Sequence, residues 1–236
     1  MGDMKQKLQL DQMIKIASGK VKLEGELKVP ERATGIVLFA HGSGSSRHSP
    51  RNQYVARTIR EAGVGTLLFD LLTKEEEAVD SYTGELRFDI EFLARRLVDA
   101  TNWITSQPAT QHLRIGYFGS STGAAAALIG AVELSNIVTA VVSRGGRPDL
   151  AGDALPKVKA PTLLIVGGND DVVIGLNEEA HAELTCEKEL QIVPGATHLF
   201  EEPGTLEQVA QLASEWFKTK LQPLAFVASG LDHAKA

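Results

Sequence analysis

From residue 34 onward, short apolar runs alternate with segments whose apolar residues recur at helical spacing, and this alternation constrains the fold more than any other feature. Ile36-Val37-Leu38-Phe39-Ala40 is apolar at every position. A strand buried on both faces reads that way, because it has no solvent side on which to place polar residues. Gly65–Phe69 is a second buried strand, and Ile115–Phe118, Ile137–Val142, Thr162–Val166 and Leu190–Val193 are further strands. Between them lie helical segments. Ser49-Pro50 reads as an N-cap and first helical residue, opening a helix that stops at Gly63. Leu86, Ile90, Leu93, Leu97, Ala100 and Ile104 step by three or four along one face of a long helix. Thr122–Leu134 is an alanine-rich helix, and Leu176–Leu184 follows the strand that begins at Thr162. A capping box, Thr205 with Gln208, starts a last helix that turns Leu206, Val209, Leu212, Trp216 and Phe217 inward. Residues 71–85, with the acidic run Glu75-Glu76-Glu77, read as a polar loop. Residues 11–28 alternate apolar and polar positions in two segments, as an antiparallel hairpin at a sheet edge does. Strand–helix repetition of this kind builds an α/β protein: a mostly parallel eight-stranded sheet with helices on both faces. One domain is expected over 1–236, with its core at about 11–222 and a tail at 223–236.

Composition narrows the partners. The chain has 236 residues, 43% hydrophobic and 23% charged, which is globular rather than disordered. Its 24 basic and 30 acidic residues give a net charge of −6, against nucleic acid as a partner. No apolar run reaches the roughly 18 residues of a membrane span, and MGDMKQKLQL has no continuous apolar stretch, so a cytoplasmic protein without a membrane partner is expected. Cys186 is the single cysteine, which excludes an internal disulfide and a cysteine-based zinc site.

The chemistry-bearing motif is Gly119-Ser120-Ser121-Thr122-Gly123, set between a strand and a helix. A sharp strand-to-helix turn lifts its apical side chain clear of the sheet and tolerates only small residues two before and two after the apex. With Ser120 at the apex Phe118 would occupy one of those positions; with Ser121 both are glycine. Ser121 is therefore the candidate nucleophile. A serine hydroxyl needs a positioned base, and the base an orienting carboxylate. The strand beginning at Thr162 leads into Gly167-Gly168-Asn169-Asp170-Asp171, and the last strand into Pro194-Gly195-Ala196-Thr197-His198. Both loops leave the carboxyl edge of a parallel sheet, as the serine turn does. His198 is the histidine placed directly beyond a late strand. Asp170 is preferred as the acid over Asp171, which is placed to cap the next helix, and over Asp70, whose ordinary role is to hold loop amides. Backbone N–H groups of Thr122 and of Ser43, in the loop after the first buried strand, are the expected oxyanion donors. His41 in the same loop is expected to orient it.

These residues resemble an α/β-hydrolase, and more narrowly the dienelactone hydrolase group, over about residues 11–222. The resemblance is carried by HGSGSS at 41–46, GSSTG at 119–123, GGNDDVV at 167–173 and GATHLFEEPGT at 195–205. It implies Ser121 as nucleophile, Asp170 as acid and His198 as base. The namesake enzymes carry cysteine at the nucleophile where this chain has serine, so a general carboxylic ester hydrolase is expected, acting on a small-molecule ester and using no metal or organic cofactor. The same machinery would serve a thioesterase or acyltransferase. A non-catalytic binding module fits the surviving triad less well, and a nucleotide-binding protein lacks its glycine fingerprint after the first strand. The stretch between the strand ending near Ser143 and Thr162 holds no room for a lid domain, which predicts an open site for short-acyl substrates. Arg144 or Arg147 is a candidate for a substrate carboxylate, with an Arg147–Asp149 loop pair as the competing role, and Tyr82 for the opposite rim.

Overall fold

Eight strands and six α-helices form among residues 7–222, the part of the chain that the structure, a computed structural model, describes. The expected tail at 223–236 lies outside the described residues. β1 (Leu8–Ser18) and β2 (Val21–Pro30) make the antiparallel hairpin, and β2 runs antiparallel to β4 (Gly65–Phe69). From there the sheet is parallel: β4 pairs with β3 (Gly35–Ala40), then come β5 (Arg114–Ser120), β6 (Val138–Arg144), β7 (Thr162–Gly167) and β8 (Lys188–Val193). Every residue of β3, β4 and β7 is buried, which explains why only Thr66 and Thr162 interrupt their apolar sequence.

The two faces collect separate cores. On one, α3 (Ile90–Ser106), α4 (Thr122–Glu133) and α5 (Asp171–Glu183) pack with Ile36, Leu38 and Tyr117. On the other, α1 (Pro50–Glu61) and α6 (Thr205–Lys220) pack with Val37, Phe39 and Phe118. Successive strand residues thus feed opposite faces, as the period of two requires. Glycines let α6 approach closely: a Cβ on Gly116 would lie 2.8 Å from the Phe217 ring, and one on Gly35 would lie 2.6 Å from Leu221 Cβ.

Four local expectations are corrected. Residues 71–85 are not a loop: α2 (Lys74–Thr83) forms there, fixed by a capping box in which Thr73 and Glu76 satisfy each other's backbone N–H. Its acidic run occupies the first turn, where the helix dipole favours negative charge, and Asp80 receives the backbone N–H of Leu86 and the Arg87 guanidinium beneath it. The last helix is not opened by Thr205; Gly204 is its N-cap, and the Thr205 hydroxyl donates back to Glu202 O at 2.7 Å. The helix expected at Leu176 starts at Asp171, and the one expected at Leu86 starts at Ile90 behind an Asp89 cap. Between β6 and β7 runs only a 3₁₀ segment, Pro148–Lys157. No helix among the described residues is long and apolar enough to cross a membrane.

Candidate active site

The serine turn is built by steric exclusion. Ser121 has φ 51° and ψ −124°, a left-handed conformation that costs a non-glycine residue about 1–3 kcal/mol. Neighbouring backbone holds it there: Ser121 O accepts the N–H groups of Ala124 at 3.1 Å and Arg147 at 3.0 Å. A Cβ on Gly119 would lie 2.4 Å from Ala124 Cα, and one on Gly123 would lie 2.1 Å from Ala40 O. The two glycines are what let α4 start so close to the ends of β5 and β3. Ser121 occupies the N-cap position of α4 but makes no side-chain capping bond, so its hydroxyl is not consumed by the helix.

Asp170 follows β7 and His198 follows β8, and the two loops are tied together. Asn169 donates its backbone N–H to Ala196 O at 2.9 Å and its amide to Gly195 O at 3.0 Å, and Gly168 N–H donates to Val193 O at 2.8 Å. The result is a 2.7 Å contact between His198 Nδ1 and Asp170 Oδ2. The carboxylate fixes the ring with Nδ1 protonated and leaves Nε2 as the basic nitrogen. The His198 loop is braced from below by Glu202, which accepts the Thr197 N–H at 3.0 Å and hydroxyl at 2.6 Å. These bonds hold the Glu202 carboxyl below its ordinary range. Sequence reasoning passed over Glu202 and Asn169; neither is itself placed to react, and their signal was only proximity to the proposed base and acid. Asp171 is the first residue of α5, and Asp70 accepts the Arg47 N–H at 2.8 Å and pairs with the Arg47 guanidinium, so neither stands beside His198.

Ser121 and His198 line one cavity of about 510 Å³ with Gly42, Ser43 and Arg144. Among the described residues no hydrogen bond joins Ser121 Oγ to the imidazole; such contacts commonly tighten only when substrate is bound. Ser43 N–H, one expected oxyanion donor, points to Thr122 Oγ1 at 3.2 Å. His41 is buried, donates Nδ1–H to Gly42 O and accepts Leu71 N–H on Nε2, both at 3.0 Å. Burial lowers its pKa and keeps the ring neutral, as that acceptor role needs.

The three expected substrate contacts separate. Arg147 grips Asp149 through two bonds, at 2.9 and 2.7 Å, as a loop pair. Tyr82 is 92% exposed and is not among the residues lining the cavity of Ser121; it lies two residues beyond buried Asp80, about 200° around α2. Arg144 alone lines that cavity, at 8% exposure. Among the described residues its Nε and Nη1 have no hydrogen-bond partner, and burial, with the Arg51 charge second, pushes its pKa down to about 10. Gly145 and Gly146 carry the chain past it, with Gly146 O held by the buried Asn177 amide at 3.0 Å.

The sequence model of the dienelactone hydrolase family matches residues 23–222. A crystal structure of a dienelactone hydrolase from Anabaena variabilis superposes with a TM-score of 0.89 at 62% identity, covering 90% of this chain and 99% of that one. A Xanthomonas campestris α/β serine hydrolase described as lacking a lid superposes with a TM-score of 0.71 at 20% identity, over 89% of this chain and 95% of that one. A Mycobacterium tuberculosis protein, named provisionally as a phosphoribosyl transferase, is 59% identical over 207 residues, 88% of this chain and 46% of that protein. The chain therefore spans about half the length of that curated relative. The architecture is that of the α/β-hydrolases, and these likenesses support hydrolytic chemistry.

Proposed function

The chain belongs to the dienelactone hydrolase family, and on that premise we propose that it is a serine hydrolase of small, soluble carboxylic esters, working through an acyl-enzyme. The observation that carries the reading is the 2.7 Å His198–Asp170 contact at the mouth of a cavity that also holds the strained Ser121. His198 Nε2 takes the Ser121 proton as Oγ attacks the ester carbonyl, and the backbone N–H groups of Thr122 and Ser43 receive the oxyanion. The protonated ring then returns its proton to the leaving alcohol. Water, deprotonated by the same nitrogen, cleaves the acyl-serine and frees the acid. Asp170 holds the ring's tautomer and stabilises its charged form throughout. None of these steps draws on a metal or organic cofactor.

The short 3₁₀ connection after β6 in place of a lid favours short-acyl substrates over long-chain lipids. The transferase name of the mycobacterial relative describes a protein about twice as long as the matched stretch, whereas the groups gathered here suit acyl chemistry. The test is labelling by a neutral fluorophosphonate, with Ser121→Ala as control, followed by hydrolysis of p-nitrophenyl esters from acetate to palmitate. Labelling that Ser121→Ala abolishes and activity that falls with chain length are expected. Labelling that survives the substitution would overturn the nucleophile, and preference for palmitate would overturn the substrate class.

A further inference from the structure

The walls of the Ser121 cavity carry a charge that the proposed ester chemistry does not use. Arg144, Arg51, His48 and His198 line it, together with six serines, and among the described residues no aspartate or glutamate does, although acidic residues outnumber basic ones in the chain by 30 to 24. Arg144 is more than nine-tenths buried, and among the described residues no carboxylate pairs with it. Burying a guanidinium without a counter-charge is costly, and a structural arginine in this position would be expected to carry its partner with it, as Arg96 does with Glu76 and Arg87 with Asp80. Arg51, at the start of α1, is half-occupied: its Nη1 meets the exposed Glu201 at 3.0 Å while Nε has no partner among the described residues. The first turn of α1 holds no acidic residue, and its cap residues Ser49 and Pro50 face the same cavity, so the positive end of the helix dipole adds to the two guanidinium groups.

We propose that the ester cleaved here carries a phosphate monoester group, bound by Arg144, Arg51 and the start of α1 while the ester carbonyl sits over Ser121. The proposal rests on the serine-hydrolase reading and names its substrate class. A carboxylate is matched by one guanidinium; two of them, a helix end and the Ser46 and Ser49 hydroxyls suit the greater charge and three free oxygens of a phosphate monoester. Arg144 is the last residue of β6 and leads into the same loop whose Arg147 N–H holds Ser121 O, which sets the anion site at a fixed offset from the nucleophile.

The test separates binding from turnover. Phenyl phosphate, benzoate and benzyl alcohol are titrated calorimetrically into the wild-type protein, Arg144→Gln and Arg51→Gln, and kcat/KM is measured for 2-acetoxyethyl phosphate, monoethyl succinate and ethyl acetate. Phenyl phosphate is expected to bind at least about tenfold more tightly than benzoate, and each substitution to weaken it by about tenfold to a hundredfold. The preference for the phosphorylated ester over ethyl acetate is expected to collapse in both variants. Arg51→Gln, at a half-exposed site, keeps the test valid should Arg144→Gln fail to fold. Tighter binding of benzoate, or unchanged phosphate binding in Arg51→Gln, would overturn the assignment. Phosphate binding without turnover of any ester would instead refute the hydrolase reading and leave the anion site standing.

Discussion

Gly123→Ala tests whether contact between backbones, and not the sequence motif as such, sets the geometry of the proposed nucleophile. The new Cβ would lie 2.1 Å from Ala40 O and 2.7 Å from both Ala40 C and His41 O. All three are backbone atoms at the end of β3, so no rotamer change relieves the clash. Reaching the 3.0 Å floor of real Cβ contacts requires α4 and β3 to separate by about 0.9 Å. That separation falls between Thr122 N and Ser43 N, the two proposed oxyanion donors. Overpacking of this kind costs about 1–3 kcal/mol, a fall of roughly 2–12 °C in Tm for a domain of this size. A displacement near 1 Å at reacting groups costs about a hundredfold in rate. The assay is kcat/KM for p-nitrophenyl acetate beside a thermal melt, with Gly175→Ala as control: its Cβ meets nothing within 4 Å in the middle of α5. The control should keep full activity and gain about 0.5–1 kcal/mol from the better helix former. A Gly123→Ala protein with kcat/KM within about threefold of wild type would refute the reasoning, because the turn would then tolerate the separation.

Two other perturbations probe the histidines. Asp170→Asn keeps the shape of the 2.7 Å contact but favours the wrong tautomer of His198; kcat for p-nitrophenyl acetate should fall by about 10⁴, and a loss under tenfold would remove Asp170 from its proposed role. His41 is held below its ordinary value by burial, so on acidification the unfolded chain takes up its proton first. Stability should therefore fall as pH drops below about 6.5, by up to about 1.4 kcal/mol per pH unit, until the folded-state pKa is passed. Urea unfolding at several pH values should show that slope reduced in His41→Gln, and an unchanged slope would contradict the sign.

The parts of the fold legible in the sequence are those governed by burial. β3, β4 and β7 announce themselves because both faces are covered, and the Gly119–Gly123 spacing because the close approach excludes any Cβ. What escaped was held by polar contacts with little apolar signature. α2 buries Asp80 rather than a row of aliphatic residues, and its stability comes from the Thr73–Glu76 box and the Arg87 and Arg96 ion pairs, which no hydrophobic period reveals. Thr205 and Gln208 have the spacing of a capping box, but Gly204 with φ 83° already turns the chain into α6. In the candidate site, the residue types Ser, Asp and His and their order were readable. Which of Arg144 and Arg147 faces the cavity was not, because three residues apart in a loop they look equivalent until Asp149 claims one of them. The hydroxyl of Thr122 resting on Ser43 N–H is a rotamer, and sequence carries no information about it.

The order of the strands has a consequence for when reactivity arises. Ser121 hangs from the centre of the sheet, while the imidazole hangs from its outermost parallel strand, and the chain reaches that strand last. The loop bearing His198 is held by Glu202 and by Asn169 of the neighbouring loop, and it sends Ala196 and Phe200 into the core that α6 covers. On the proposed mechanism, a nascent chain that has not yet passed β8 thus carries only an inert alcohol at its apex.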